Sequence, residues 1–440
     1  MSTIKDLIKK HVNFEMRATI NEKFIDISNV RSIKSGIKVL IPKKIILFRR
    51  KIRYHHKNRR ELAKLKKGDV DILFISHEDS MTGAPRIVYE IAKSCKDDYK
   101  IKYLSLTKGL MTELVKNTFD DVYNTDWIKS SVCENSREEE DEVFDKYIHK
   151  VLKKINPKLV YANSLGTFKY VIEAKKLCIP TIFHLHELGP AFISCRADNY
   201  LKEIEDSADK VVVVSEVCRR LMIDNFKFEP EKIELVNEFI NSEEVKKKSE
   251  TVNLDILRAS LGINKDDFVV VGCGHASLRK GTDLFLKACE VVRRNNNNNI
   301  KLLWVGRTRE FNDKIKEYDE ILDIDKIFTG ETMNPFPYIN LADLFVLPSR
   351  SDPFPLVVLE AMSLGKPVLS IRNGGGSEEQ LGENGIFIDE FDGEQLGDKI
   401  IELSMQNLTE IGASLKERQK DYDSKGNIEK VKKMIQEVIK

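Results

Sequence analysis

The stretch DDFVVVGCGHASLRKGTDLFLKA, residues 266–288, begins with an unbroken apolar run from Phe268 to Val271. It turns through glycines and a basic pair, Arg279 and Lys280, and resumes with apolar residues at helical spacing from about Thr282. A strand that is apolar at consecutive positions must be covered on both faces, which is the condition of a strand inside a parallel sheet. The stretch therefore predicts a strand, a glycine-bearing loop and a helix. The same alternation recurs in DFVVVGCG, IKLLWVGR, DKIFTG, ADLFVLPS, KPVLSI and GIFID, which predicts one doubly wound domain over about 254–415. Upstream, VDILFISH, KIKYLSL, KLVYANS, PTIFHLHE, DKVVVVSE and KIELVNEF repeat it over about 69–245. The polar, lysine-rich NSEEVKKKSETVN at 241–253 marks the join. The expected fold is α/β, with two Rossmann-like doubly wound domains facing a cleft and a basic N-terminal extension over 1–68. A charged helix over 416–440 is expected to cross back to the first domain.

Length and composition agree with two domains. The chain has 440 residues, 41% of them hydrophobic, more than one core usually serves. Its formal charge of +2 conceals an asymmetry: residues 1–68 hold 20 Lys and Arg against 5 Asp and Glu, leaving −13 on the remainder. The seven cysteines are scattered without a CxxC pair, so neither a zinc ribbon nor a disulfide framework is expected. No apolar run approaches a membrane span, and the opening MSTIKDLIKK is charged where a signal peptide is apolar. A cytoplasmic protein is expected.

Open parallel sheets bind ligands at the carboxyl ends of their strands, so the strand-end motifs bear the chemistry. In SDPFPLVVLEAMSLGKP, residues 351–367, Asp352 lies on such a loop, Pro355 fits the first helical position, and Glu360 falls among Val357, Val358, Leu359, Ala361 and Met362. A buried carboxylate needs a partner. The ribose hydroxyls of a nucleotide would serve, and so would an arginine or lysine in a buried ion pair. Arg279 and Lys280, beside a helix N-terminus, make an anion site fit for a diphosphate. In IRNGGGSEEQLG, the glycines Gly374, Gly375 and Gly376 precede Ser377 and Gln380 at capping-box spacing, so N–H groups of Gly375, Gly376 and Ser377 are expected to face the cleft. Gly83 of TGAPR, residues 82–86, opens a helix in the first domain. His77, His184 and His186 stand at strand ends, with 184 and 186 on one strand face. They read either as a metal site or as histidines satisfied by polar neighbours; no carboxylate or cysteine spacing completes a metal set.

These motifs resemble the retaining, nucleotide-sugar-dependent glycosyltransferases of family 4, which have the GT-B fold. SDPFPLVVLEAMSLGKPVLS is similar to the family's pair of acids ahead of an LEAM-like helix, with Asp in the first place. GCGHASLRKGTDLF and NGGGSEEQLGENGIFI extend the resemblance, as do, more loosely, SHEDSMTGAP, YANS and HLHEL. The resemblance implies a nucleotide-sugar donor and a glycan, lipid-linked or protein acceptor in surface glycan synthesis, without metal or other cofactor. It implies donor-diphosphate contacts for Arg279 and Lys280, sugar contacts for Asp352 and His186, and donor binding by Glu360, Gly83, Gly374, Gly375, Gly376 and Ser377. The family's arginine commonly lies about five residues before the lysine, where this chain has His275. Two rivals stay open: an inactive GT-B glycan-binding or scaffold subunit, and a GT-B phosphorylase or epimerase. The basic extension is expected to seek an anionic membrane surface, making the protein peripheral at the inner membrane face; nucleic acid is not the expected partner.

Overall fold

The computed structural model describes residues 68–125, 137–297, 299–318, 321–323 and 327–439, and only fragments before them: 30–32, 38–40, 62–63 and 65. The fragments include a two-stranded antiparallel pair, β1 (Val30–Ser32) and β2 (Lys38–Leu40). With residues 129–155, whose helix spans Arg137–Ile155, the first 67 residues form one unit and the rest of the chain forms the other. Most of the basic extension lies outside the described residues.

The larger unit holds two parallel sheets. The first has seven strands in the order β5-β4-β3-β6-β7-β8-β9. In chain order these are β3 (Ile72–Ser76), β4 (Ile101–Ser105), β5 (Val122–Asn124), β6 (Leu159–Asn163), β7 (Thr181–Leu185), β8 (Lys210–Val213) and β9 (Ile233–Leu235). The second has six, in the order β12-β11-β10-β13-β14-β15: β10 (Phe268–Cys273), β11 (Ile300–Val305), β12 (Phe328–Gly330), β13 (Leu344–Leu347), β14 (Val368–Ile371) and β15 (Ile386–Ile388). Every pairing in both sheets is parallel. The central strands β3, β6, β7, β13 and β14 are buried at every position, as their continuous apolar runs require. Within these two sheets β5 is the strand that the sequence reading did not find; β1 and β2 were not expected either.

Six helices position the site: α1 (Gly83–Cys95), α2 (Glu216–Arg220), α3 (Thr282–Arg294), α4 (Leu356–Ser363), α5 (Ser377–Leu381) and α6 (Ser424–Val438). α1 and α3 turn amphipathic faces inward; Ile87, Val88, Ile91 and Ala92 are buried on one, Leu284, Phe285, Ala288 and Val292 on the other. Phe285 packs edge-on to Trp304 of β11 at 5.2 Å in the core of the second domain. α6, at the end of the chain, buries Val431, Met434 and Ile435 and packs against α1 and β7 of the first domain, with Lys432 2.7 Å from Asp98. No helix among the described residues is long and apolar enough to cross a membrane.

Candidate active site

In each sheet the chain reverses direction beside the central strand, at β3/β6 and at β10/β13, and the motifs sit at the carboxyl ends there. After β10 the loop runs to Gly281, whose φ of +68° a side chain would rarely adopt and where a Cβ would lie 1.9 Å from the Pro348 carbonyl. This close approach draws the loop after β10 onto the loop after β13. Lys280 thereby reaches Asp352, its Nζ contacting Oδ2, and both side chains are largely buried. Arg279 goes elsewhere: it is exposed, and NH1 donates to the Ser351 carbonyl at 2.8 Å. The structure thus separates the neighbouring cations, Lys280 turning inward and Arg279 bracing the loop. At the position of the family's arginine, His275 Nδ1 lies 3.1 Å from Arg307 NH2.

The triple glycine has a structural task not foreseen from the sequence. The loop after β14 lies directly on residues 349–353, with Asp352 and Gly375 bridged as in a parallel sheet. Asp352 N–H donates to the Gly374 carbonyl at 2.8 Å, and Gly376 N–H donates to the Asp352 carbonyl at 2.9 Å. Gly375 has φ +125°, and a Cβ there would stand 1.9 Å from the Asp352 carbonyl. The expectation that Gly376 offers a free N–H is therefore corrected: that group is already engaged. The capping box is absent too, because Ser377 Oγ pairs with Ser370 Oγ at 3.0 Å and Gln380 Nε2 donates to the Pro355 carbonyl at 3.1 Å. Pro355 itself precedes α4 as its cap rather than forming its first residue.

Glu360 in α4 is 1% exposed, and its partner is Arg86 of α1, NH1 standing 2.7 Å from Oε1. Of the two readings left open by the sequence, the structure thus displays the ion pair, and it joins the two domains. At that distance the guanidinium and the carboxylate make a charge-assisted contact. Burial opposes the charge on Arg86, but Glu360 outweighs it and raises the arginine's pKa. Gly83, one turn earlier, faces the same seam: a Cβ there would lie 3.2 Å from Glu238 Oε2 and 3.6 Å from Leu356.

His186, after β7, is buried and has both ring nitrogens engaged. Nδ1 lies 2.7 Å from Glu238 Oε1 and Nε2 2.8 Å from Asn163 Oδ1. Asn163 donates its Nδ2 to the Ala84 carbonyl, which turns Oδ1 to the histidine and makes Nε2 a donor. Burial raises the pKa of Glu238 against the opposing hydrogen bond from His186. His184 stacks beside His186 at 4.1 Å, has Nδ1 2.8 Å from the Tyr161 hydroxyl, and is held neutral by burial, its pKa well below 6.5. His77 is pushed the same way. Among the described residues no three His, Cys, Asp or Glu groups gather as metal ligands.

The sequence reading missed Arg86, Glu238 and Glu379. Glu379 of α5 reaches the first domain, accepting from the Glu216 N–H at the start of α2 at 2.7 Å and from Asn237 Nδ2 at 2.9 Å. Arg86 lies within a motif already singled out, and Glu238 just past a strand's carboxyl end, which is the available signal for both.

Two doubly wound domains with their strand-end loops facing each other define the GT-B fold. Comparison with known proteins agrees. The family model described as Glycosyltransferase Family 4 matches residues 115–244, and that described as Glycosyl transferases group 1 matches 254–422. The chain belongs to the family 4 glycosyltransferases. It is similar to the alpha-galactosylglucosyldiacylglycerol synthase of Streptococcus pneumoniae, with 32% identity over 32% of this chain and 37% of that one. It is also similar to the lipopolysaccharide 1,2-N-acetylglucosaminetransferase of Salmonella typhimurium, with 34% identity over 28% of this chain and 35% of that one. The chain thus aligns with little more than a third of either relative. Among solved structures, Anabaena HepE in complex with UDP and glucose superposes with a TM-score of 0.69, at 18% identity, over 83% of this chain and 99% of that one. At that identity the likeness establishes the fold alone.

Proposed function

We propose that the protein transfers a sugar, with retention of configuration, from a nucleotide-sugar donor to an acceptor hydroxyl in the cleft. The observation that carries this reading is Lys280 held against Asp352 where the loops after β10 and β13 meet. When a diphosphate leaves the anomeric carbon, negative charge grows on its oxygens while the sugar becomes oxocarbenium-like, and a fixed cation beside those oxygens lowers the barrier. Lys280 is that cation. Asp352, its partner in the free protein, binds donor-sugar hydroxyls, with His186 close to the same sugar. Glu360 accepts the ribose hydroxyls, and Gly83 and the loop Gly374–Ser377 line the donor. Attack comes from the face the diphosphate leaves, and its departing oxygen takes the acceptor's proton, so no separate nucleophile or metal is required.

The acceptor is assigned to a surface glycan or its lipid carrier. The two relatives above, named for a glycolipid and for lipopolysaccharide, support that class, and HepE, solved with UDP and glucose, supports a nucleotide-sugar donor. The basic residues of 1–68 are proposed to hold the enzyme at an anionic membrane surface, where each contributes about 1 kcal/mol. The experiment is a thermal-shift screen of UDP-, GDP- and ADP-sugars, followed by transfer assays in chelator. A donor at 100 times its dissociation constant adds about 2.7 kcal/mol to stability. Stabilisation by none of them would overturn the donor assignment, and activity lost in chelator and restored by one metal would overturn the metal-free step.

A further inference from the structure

Arg86 is the cation that the reaction as described leaves unused. It rises from the first turn of α1 in one domain and closes on Glu360 of α4 in the other. About a quarter of its side chain is exposed, 27%, whereas Glu360 is 1% exposed. The guanidinium stands against the buried carboxylate, so a ribose diol that binds Glu360 has to compete with it. Of the other arginines around this loop, Arg279 is exposed and tied to Ser351, Arg350 is clamped on Asp283 by two contacts of 2.7 Å, and Arg307 lies against His275. Lys280 lies at the end of β10, where a Cβ on Gly274 would stand 3.9 Å from its Nζ.

We propose that Arg86 is exchanged on donor binding: the ribose takes its place on Glu360, and the released guanidinium turns to the donor diphosphate, joining Lys280 from the opposite domain. A bidentate guanidinium suits paired phosphate oxygens, and a side chain whose base belongs to the first domain can complete the cation set only while the cleft is closed. The free protein stores that cation on a carboxylate, so the cost of exposing Glu360 is met only by a ligand carrying both ribose and diphosphate. The inference rests on the assignment of Glu360 to the ribose.

Arg86 has opposite effects on two ligand classes, and this makes the exchange testable. Calorimetric titration of wild type, Arg86→Gln and Glu360→Gln is made with uridine, guanosine and adenosine and with UDP, GDP and ADP. In Arg86→Gln the matching nucleoside should bind tighter, by about tenfold, because its competitor for Glu360 is gone. The diphosphate's advantage over that nucleoside should shrink by about tenfold or more, the worth of one charge-assisted hydrogen bond. Tightening of both ligands alike would mean that Arg86 only blocks the site, and no change in either would mean that it is purely structural; each overturns the exchange. If Glu360→Gln leaves nucleoside affinity unchanged, the ribose assignment itself falls, a result distinct from either. Should Arg86→Gln not fold, Arg86→Lys keeps the charge at Glu360 but loses the planar fork; an undiminished diphosphate preference in that variant overturns the proposal.

Discussion

Lys280 does two things that a single substitution separates. In the free protein it neutralises the buried Asp352, and in the proposed reaction it meets charge that grows only as the diphosphate departs. Lys280→Ala is therefore expected to reduce turnover by at least about 10²-fold, with a smaller change in donor affinity, read from steady-state kinetics on purified folded protein. Near-normal turnover would place the diphosphate elsewhere. The histidines give a second residue-scale test. Burial holds His184 neutral in the fold, whereas the unfolded chain protonates it near 6.5. A depressed folded pKa contributes stability that is fully present above the unfolded value and is lost as pH falls toward the folded one. The melting temperature should accordingly decline below about pH 6.5, with His77 adding to the slope in the same sense. His184→Leu should melt lower at pH 8, since the Tyr161 hydroxyl loses its hydrogen-bond partner, yet show a shallower acid decline. An equally steep decline would assign the acid sensitivity to other groups.

At the scale of elements, the loop after β14 is held by contact with the loop after β13. Gly375→Ala would thrust a methyl group at the Asp352 carbonyl in a backbone region that side chains avoid, at a cost of about 1–3 kcal/mol, and would displace Asp352 from Lys280. Both a lower melting temperature and reduced turnover are expected, measured by calorimetry and transfer assay; an unperturbed melt would show that the loop has room to spare. This contact also marks where the sequence stops being informative. The long strands were legible because a doubly covered strand must be apolar at consecutive positions. β5 was not, since Val122–Asn124 is three half-buried residues at a sheet edge. The acids of SDPFPLVVLE were legible as site candidates, for a carboxylate in an apolar helix demands a partner. Which partner was not: Arg86 meets Glu360, and Glu238 meets His186, only once strands far apart in the chain are laid side by side. The triple glycine illustrates the same limit, because its spacing fits a cap equally well as a loop pressed against its neighbour.

For the whole molecule, the charge imbalance between residues 1–68 and the remainder is the feature that the enzyme reading leaves over. Sedimentation with anionic vesicles, comparing the full chain with one starting near Asp69, should pellet the full chain at low salt and release it at high salt. Surface attraction is screened within a Debye length of about 8–10 Å at physiological ionic strength. Equal pelleting of both proteins would remove the extension from membrane attachment. The shorter protein should keep transfer to a soluble acceptor, because the candidate site draws every residue from positions beyond 68.

The chain crosses between the domains twice, and the crossings lie against each other. Ile240 and Asp423 meet in a single isolated parallel bridge; Ser424 N–H donates to the Ile240 carbonyl at 3.1 Å, and Ser242 Oγ to Asp423 Oδ2 at 2.9 Å. A single connecting strand would leave the domains free to swing and to twist. Two laced together behave as a narrow ribbon, which bends readily across its face but resists torsion and sideways shear. A tie between the crossings should oppose twisting more than bending, so each closure is expected to return α1 to α4 in the same register, Arg86 opposite Glu360.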